Sequence, residues 1–255
     1  MSGKRRVSLF VCDWAVNPNE ISDETLSNLP ADFSLVKVKC VGRVDPIIIF
    51  EAFIQGLDGV MILGCHPGDC HFITGNYYTE KRAAMIQRIL EVLEISPERL
   101  LVDWISPAEG ERLAGLLRDF SEKVVELGPL GSEASLELGE LSQRLSASKG
   151  ALADDRLRWL VGRERELIEE GNVFGERLPQ EEFDRVMDES IRKEYQRNRI
   201  LHSLGEDALT IKEMAEAVGL PPREILRHLI ALESDGLVSV AEIDGSSPRY
   251  RKIGG

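Results

Sequence analysis

Short apolar runs alternate with stretches of helical periodicity over the first half of the chain. Four of these runs have the length and apolar content of buried strands, and they cover residues 7–11, 35–39, 60–64 and 100–105. Helical segments between consecutive strands are typical of a parallel sheet that is covered on both faces. Right-handed crossovers leave few strand orders, so the pattern predicts an α/β fold: a four-stranded, flavodoxin-like parallel sheet with the order 2-1-3-4.

Capping residues mark where the intervening helices begin. Asp45 is expected to cap a short helix that starts at Pro46. A second helix is expected over residues 80–93, with Thr79 as its N-cap. The strongest signal is the capping box Ser106-Pro107-Ala108-Glu109, which predicts a further helix up to about residue 127.

The second half of the chain has a different character. Residues 129–150 are a weakly helical mixture that predicts a linker or docking segment. Residues 151–203 hold two amphipathic helices, and we expect this connector to pack on a partner subunit, with a solvated hairpin on its own domain as the alternative. The final residues have the helix, turn, helix and hairpin pattern of a winged helix. The predicted domains are therefore residues 5–128, 129–204 and 205–255.

Composition narrows the class of protein. The chain has 255 residues, 43% of them hydrophobic, which is enough for a sizeable core. Its formal net charge of −13 disfavours nucleic acid as the main partner, because phosphate binding depends on Lys and Arg. Residues 206–255 carry 6 Lys and Arg against 9 Asp and Glu, so the winged-helix-like region is expected to bind protein rather than DNA. Because no membrane span or signal peptide is recognisable, a reducing cytoplasm is expected.

All four cysteines fall in the first 70 residues, and three of them follow predicted strands. The carboxyl ends of parallel strands meet at one edge of a sheet, so four thiolates could surround one metal centre there. The last two cysteines have a four-residue gap, the local spacing that opens the plant-type two-iron ferredoxin pattern. The candidate metal ligands are Cys12, Cys40, Cys65 and Cys70.

Other interpretations of these cysteines stay open. Each thiol taken alone is as often a small buried hydrophobe as a ligand. Disulfides suit an oxidising compartment rather than a reducing one. Structural zinc competes because His66 and His71 flank the same loop, although zinc sites usually take their ligands as two close pairs, and only one such pair is present. The lack of a G-x-G-x-x-G or P-loop motif argues against a dinucleotide or a nucleoside triphosphate.

Four stretches of the first half carry a family pattern: Cys40-Val41-Gly42-Arg43-Val44-Asp45-Pro46, Gly64-Cys65-His66-Pro67-Gly68-Asp69-Cys70-His71, Gly75-Asn76-Tyr77, and Trp104-Ile105-Ser106 with Ala108-Glu109-Gly110. With them, residues 5–128 resemble the delta subunit of methyl-viologen-reducing hydrogenase. The resemblance implies an iron–sulfur protein with one [2Fe-2S] cluster and no substrate chemistry of its own. It also implies two partners, a heterodisulfide-reductase-type flavoprotein and a dehydrogenase or hydrogenase that donates or accepts electrons.

One position departs from that family pattern. Where the family commonly has Cys-x-x-Cys at the end of the first strand, this chain has Cys12-Asp13-Trp14-Ala15, and Ala15 cannot be a ligand. Either the four cysteines form the complete ligand set, or the cluster is lost or altered in this chain.

Three basic or titratable side chains lie within a few residues of the candidate ligands, where they would offset the negative charge of a cluster. They are Arg43, His66 and His71. A surface salt bridge with Asp45 or Asp69 is the alternative for Arg43, and Rieske-type ligation is a minor alternative for the two histidines.

These patterns leave three functions to compare. The leading hypothesis is an electron-transfer subunit whose carboxyl-terminal half docks on a larger complex. The second is a redox-responsive transcription regulator, in which a cluster controls the winged helix. The third is a zinc-stabilised scaffold without redox activity.

Overall fold

A computed structural model of the chain describes residues 3–16, 21–205 and 207–253. These residues belong to two compact units, Met1–Asp188 and Glu189–Gly255. Residues 206, 254 and 255 of the predicted third domain lie outside the described residues. The domain limits at residues 128 and 204 stay predictions.

A four-stranded parallel sheet forms the centre of the first unit. Its strand order is β2-β1-β3-β4, which confirms the predicted flavodoxin-like arrangement. Val11 of the first strand lies beside Lys37 of the second and Leu63 of the third. The strands are β1 (Arg6–Cys12), β2 (Asp32–Val38), β3 (Gly59–Gly64) and β4 (Leu100–Trp104).

The two central strands are buried on both faces. All residues of β1 after Arg6 are buried, and so is every residue of β3. A strand covered by helices on both sides needs a continuous apolar run, whereas β2, at the edge of the sheet, is buried at Phe33 and more open elsewhere. The two central strands are therefore almost completely shielded from solvent, and Cys12 is the last residue of one of them.

Four helices connect the strands or follow the last one. They are α1 (Asp23–Ser27), α2 (Pro46–Ile54), α3 (Gly75–Val92) and α4 (Gly110–Leu127). The Asp45 carboxylate accepts a hydrogen bond of 2.9 Å from the backbone N–H of Ile47, as expected for the N-cap of α2.

Two predicted helix starts are wrong. Helix α3 begins at Gly75 rather than at residue 80, and Thr79 lies inside it, where its hydroxyl donates to the Gly75 carbonyl. The first turn lacks the apolar stripe of the rest of the helix, so periodicity did not reveal it. Helix α4 begins at Gly110, after the expected capping box. The Glu109 carboxylate accepts from the Ser106 N–H (2.8 Å), as in such a box, and also bonds to His66.

The rest of the first unit is helical and packs on the sheet domain. The second half of the predicted linker or docking segment forms a complete helix, which packs on α2 with a Lys149–Glu51 ion pair of 2.6 Å. The following helix packs on α3 through Lys81 and Glu164, 2.9 Å apart. These contacts agree with the alternative of a hairpin on its own domain. The helices are α5 (Leu138–Ala153), α6 (Asp155–Arg165), a π-helical turn (Glu166–Glu170) and the start of α7 (Gln180–Ser203).

One buried arginine joins the sheet to the segment after α4. Arg99 has no exposed side-chain surface, and its Nε donates to the Glu133 carboxylate at 2.6 Å. Its other nitrogens donate to one backbone carbonyl directly before β3 and to three at the end of α4, where a helix leaves carbonyls without partners and favours a cation. These acceptors belong to Asp58, Leu127, Gly128 and Pro129.

The second unit has the predicted winged-helix pattern. Thr210 and Glu213 form a reciprocal capping box, and Gly219 ends the first helix in the left-handed conformation. A hydrophobic core forms between the helices and the hairpin, around Met214, Leu229 and Tyr250. The elements after α7 are β5 (Leu209–Thr210), α8 (Ile211–Val218), α9 (Pro222–Ser234), β6 (Val238–Asp244) and β7 (Ser247–Lys252).

None of the helices among the described residues has the length and apolar content that crossing a bilayer requires.

We expect Arg99→Met to lower the free energy of unfolding by about 3–5 kcal/mol, because it leaves the partly exposed Glu133 carboxylate and several backbone carbonyls without the donor that is fully buried among them. The matched control is Lys123→Met, which removes an exposed pair with Glu126 and should cost less than about 1 kcal/mol. Urea denaturation of both variants measures the difference. Equal losses would contradict a stabilising role for the buried arginine.

Candidate metal centre

The four cysteines lie at the carboxyl edge of the parallel sheet. Cys12 ends β1, Cys65 directly follows β3, and Cys40 lies two residues after β2. Cys70 lies in the loop before α3. All four are free thiols; three are buried and Cys70 is half-buried. The predicted meeting of the thiols at one edge is therefore what the fold produces.

The thiols form two pairs. The Sγ atoms of Cys12 and Cys65 are 3.7 Å apart. Cys40 and Cys70 share a hydrogen bond, and both face the Cα atom of Gly75. A Cβ atom at Gly75 would lie 2.3 Å from the Cys40 sulfur and 3.3 Å from that of Cys70. Each pair joins two different segments of the chain, because Cys65 and Cys70, which are closest in sequence, belong to different pairs.

No three His, Cys, Asp or Glu side chains among the described residues form a group that could hold a metal ion. The paired arrangement is compatible with a centre in which each metal takes two thiolates from the protein. Two sulfur ligands at about 2.3 Å from a tetrahedral metal lie roughly 3.8 Å apart, close to the Cys12–Cys65 separation. The Cys12–Cys65 separation therefore suits two thiolates on one tetrahedral metal, whether that metal is a single ion or part of a cluster.

A close backbone contact shapes the pocket around Cys40. A Cβ atom at Gly42 would lie 2.8 Å from the Cα atom of Gly75, so neither position has room for a side chain. Arg82 of α3 donates a hydrogen bond of 2.6 Å to the Gly42 carbonyl, which ties the loop after β2 to the helix. The loop after β2 and the start of α3 are thus held together on both sides of the Cys40 sulfur.

The loop that contains Cys70 directs backbone N–H groups at its sulfur. Burial raises the pKa of the Cys70 thiol. Hydrogen bonds from the N–H groups of Asn76, Phe72 and Gly75 lower this pKa by more than burial raises it, so the net shift is downward. Ile73 in this loop has a φ angle of +69°, a left-handed conformation that is strained for a β-branched residue. The strain accompanies a backbone that favours a thiolate, the form that binds metal.

The surroundings of Cys65 and Cys40 favour the protonated form of these two thiols. Burial, and then the charge of Cys12, raise the pKa of the Cys65 thiol to about 12. Burial also raises the pKa of Cys40, with further contributions from Cys70 and Cys12. Four thiolates at this spacing repel one another, so a metal that replaces the protons would remove a large electrostatic cost.

The three predicted neighbours of the thiols have different surroundings. The Nε2 atom of His66 is 2.7 Å from the Glu109 carboxylate. The hydrogen bonds from His66 and from Ser106 lower the pKa of Glu109 to about 2. The ring of His71 stacks on Trp14 with centroids 3.9 Å apart. Arg43 is exposed at the end of a short 3₁₀ helix.

The alternative for Arg43 is not what the structure shows. Asp45 pairs with Arg158 of α6 at 2.9 Å, and Arg43 forms no salt bridge with any residue that the structure describes. The guanidinium therefore remains available to a charged group near Cys40. The assignment of Arg43, His66 and His71 to charge compensation stays a prediction.

Two further residues shape this edge, and sequence reasoning assigned them no role. Asn76 donates through its side-chain amide to the carbonyls of Cys65 and His66, at 3.1 Å and 2.9 Å. Arg82 holds the Gly42 carbonyl, as described above. Asn76 stands in one of the family motifs, which was an available signal. Nothing local marks Arg82, because its partner is 40 residues away in the chain.

Comparison with known proteins supports the sequence resemblance. The family model described as "Methyl-viologen-reducing hydrogenase, delta subunit" matches residues 7–128. The chain is 37% identical to the iron-sulfur subunit of the vhc F420-non-reducing hydrogenase of Methanococcus voltae over 121 residues, which cover 47% of this chain and 84% of that protein. It is also 37% identical to the iron-sulfur subunit of the F420-non-reducing hydrogenase of Archaeoglobus profundus over 125 residues, 49% of this chain and 91% of that protein. The chain belongs to the methyl-viologen-reducing hydrogenase delta subunit family.

The match to this family covers only the first half of the chain. A region of one subunit of the ferredoxin:CoB-CoM heterodisulfide reductase of Methanosarcina mazei is 33% identical to it over 132 residues, 51% of this chain but 17% of that protein. In the second half, the "DprA winged helix domain" model matches residues 189–241, which agrees with the winged helix of the second unit. This chain therefore joins a domain of the delta family to a winged helix.

We expect Gly75→Ala to displace the Cys40 thiol, because the new methyl group would overlap its sulfur. Overpacking of this kind costs about 1–3 kcal/mol, so thiol labelling of Cys40 in reduced, iron-free protein should accelerate roughly tenfold or more. The control is Gly115→Ala in α4, where no atom lies within 4 Å of the added methyl group. Labelling rates measured by mass spectrometry distinguish them. Equal rates would show that Gly75 does not hold Cys40 in place.

Proposed function

We propose that this protein is an electron-transfer subunit that carries one [2Fe-2S] cluster on Cys12, Cys40, Cys65 and Cys70. The observation that carries the proposal is the pairing of four free thiols at one sheet edge, in a family whose members are named iron-sulfur subunits. Since Ala15 offers no fifth sulfur, these four cysteines form the complete ligand set. When bound, such a cluster supplies one-electron oxidation and reduction.

The chain's own residues prepare the edge for a negatively charged group. The N–H groups of Phe72, Gly75 and Asn76 point at Cys70, and donors of this kind stabilise added negative charge on sulfur. Arg43, exposed and without a salt bridge within the described residues, is suited to the same task. His66 and His71 contribute charge and order rather than ligation, because Glu109 and Trp14 already engage their rings.

The rim of the same edge is suited to contact with another protein. Trp14 and Phe72 are each 51% exposed, and Ile73 is 84% exposed. Aromatic and apolar side chains grouped on a surface are typical of protein interfaces. Electron transfer requires close approach of two redox centres, so a partner that covers this rim would lie next to the cysteines.

The partners that we propose are a heterodisulfide-reductase-type flavoprotein and an oxidoreductase that donates or accepts electrons. The names of the relatives support this choice, since one group belongs to F420-non-reducing hydrogenase and another to CoB-CoM heterodisulfide reductase. In the second group a related region is part of a much longer chain. We infer from this fusion that the first-half domain contacts that kind of reductase directly.

A redox-responsive transcription regulator is the second function considered. The DprA-type match supports the winged-helix fold of the second unit and leaves its ligand open. Residues 206–255 have a net charge of −3, from 6 Lys and Arg against 9 Asp and Glu, which is unfavourable for phosphate binding. A sequence-specific electrophoretic shift by the full chain would move this function to first place.

Anaerobically purified protein should contain about two irons and two sulfides per chain, because four thiolates complete the coordination of a two-iron centre. Metal and acid-labile sulfide analysis, with visible absorption and electron paramagnetic resonance of the reduced protein, measures this. Stoichiometric zinc with no iron would refute the proposal and favour the scaffold.

Removal of any one ligand should abolish or degrade the cluster, since no spare sulfur is available among the four cysteines. The variants are Cys12→Ala, Cys40→Ala, Cys65→Ala and Cys70→Ala. Asp69→Ala is the control, because its exposed side chain lies in the same loop beside Cys70. An unchanged spectrum and iron content in any cysteine variant would remove that residue from the ligand set.

A further inference from the structure

Helix α9 of the winged helix carries an unusual stripe on its solvent face. Four of its residues are spaced three, four and three positions apart, which places them on one side of the helix. Two of them are apolar and exposed, Leu226 by 42% and Ile230 by 61%. The opposite side of the same helix is buried in the core of the unit through Ile225, Leu229 and Leu232.

The two ends of this stripe are oppositely charged. Arg223 lies at the amino-terminal end and Glu233 at the carboxyl-terminal end, and both side chains are exposed. Neither forms a salt bridge within the described part of the chain. The stripe, defined as Arg223, Leu226, Ile230 and Glu233, is therefore an apolar pair between two unpaired charges of opposite sign.

This stripe is complementary to itself. When two copies of a helix pair antiparallel about a two-fold axis, the first residue of the stripe in one copy faces the last residue in the other. Arg223 then faces Glu233 of the second copy at both ends, and Leu226 faces Ile230 in the middle. A closed two-fold interface of this kind uses the same surface on both chains.

We propose that the stripe on α9 is a homodimerisation surface, and that its occupant is the α9 helix of a second copy of this chain. Pairing removes two exposed apolar side chains per chain from water and satisfies two ion pairs at the same time. Winged helices usually place this second helix in the DNA major groove. Here two exposed apolar side chains, Leu226 and Ile230, lie between Arg223 and Glu233 on the solvent face of the helix, and this combination matches protein better than phosphate.

The first experiment tests the apolar centre of the interface. Sedimentation velocity of the full chain, from about 1 μM to about 1 mM, should show a reversible monomer–dimer equilibrium. Ile230→Glu should weaken this dimer by roughly tenfold or more, because it buries a charge opposite Leu226. The control is Ile243→Glu, which changes a residue of β6 that is 70% exposed and outside the stripe, and should leave the equilibrium unchanged.

The second experiment tests the charged ends by exchange. Arg223→Glu and Glu233→Arg should each weaken the homodimer, by roughly tenfold, because two attractive pairs become two repulsive ones. An equimolar mixture of the two variants should form a heterodimer that restores association, because one chain then has acidic side chains at both ends of the stripe and the other has basic ones, so both charged ends are attractive. A variant that had merely lost its fold would not be rescued by mixing.

Three results would overturn the proposal. The first is a chain that stays monomeric at every concentration. The second is a dimer that Ile230→Glu does not weaken or that the charge-exchanged mixture does not restore. The third is specific binding of a DNA duplex that is lost in Arg223→Glu, which would assign the same face to nucleic acid.

Discussion

The close approach of two glycines is the constraint on which the candidate metal centre depends. Gly42 and Gly75 bring the loop after β2 against the first residue of α3, and the Cys40 sulfur occupies the space that a side chain at Gly75 would need. The first residues of α3 at this contact also include Asn76 and N–H groups that surround Cys70. The parallel sheet delivers the cysteines to one edge, and this backbone contact brings Cys40 and Cys70 together.

The thiols at this edge differ in how readily they lose their protons. Burial and mutual repulsion favour protons on Cys65 and Cys40, whereas backbone donors favour the thiolate of Cys70. The site therefore combines a thiol that loses its proton more readily than usual with the backbone donors that stabilise negative charge on its sulfur. Trp14 stacks on His71 beside the thiols, so aromatic surface borders the same edge. Binding of a redox centre and docking of a protein partner are compatible at this edge.

The second half of the chain lies outside the region that aligns with the delta subunit family. Helices α5 and α6 cover α2 and α3, and the buried Arg99 anchors the segment that leads to them. The second unit has its own core and capping box, so its fold has local support. Its exposed helix face carries apolar residues between opposite charges, which makes association with protein more consistent with the surface than association with DNA.

By itself the sequence determined the elements whose signals are local. Apolar runs predicted the buried strands and their order, Asp45 predicted a helix cap, and the strand ends predicted the shared edge of the cysteines. The tertiary structure alone decided which thiols pair, since Cys12 and Cys65 are 53 residues apart. It also decided the start of α3 and the roles of Arg82 and Arg99. These features depend on contacts between distant segments, and backbone proximity of that kind leaves no periodic or capping signal in the chain.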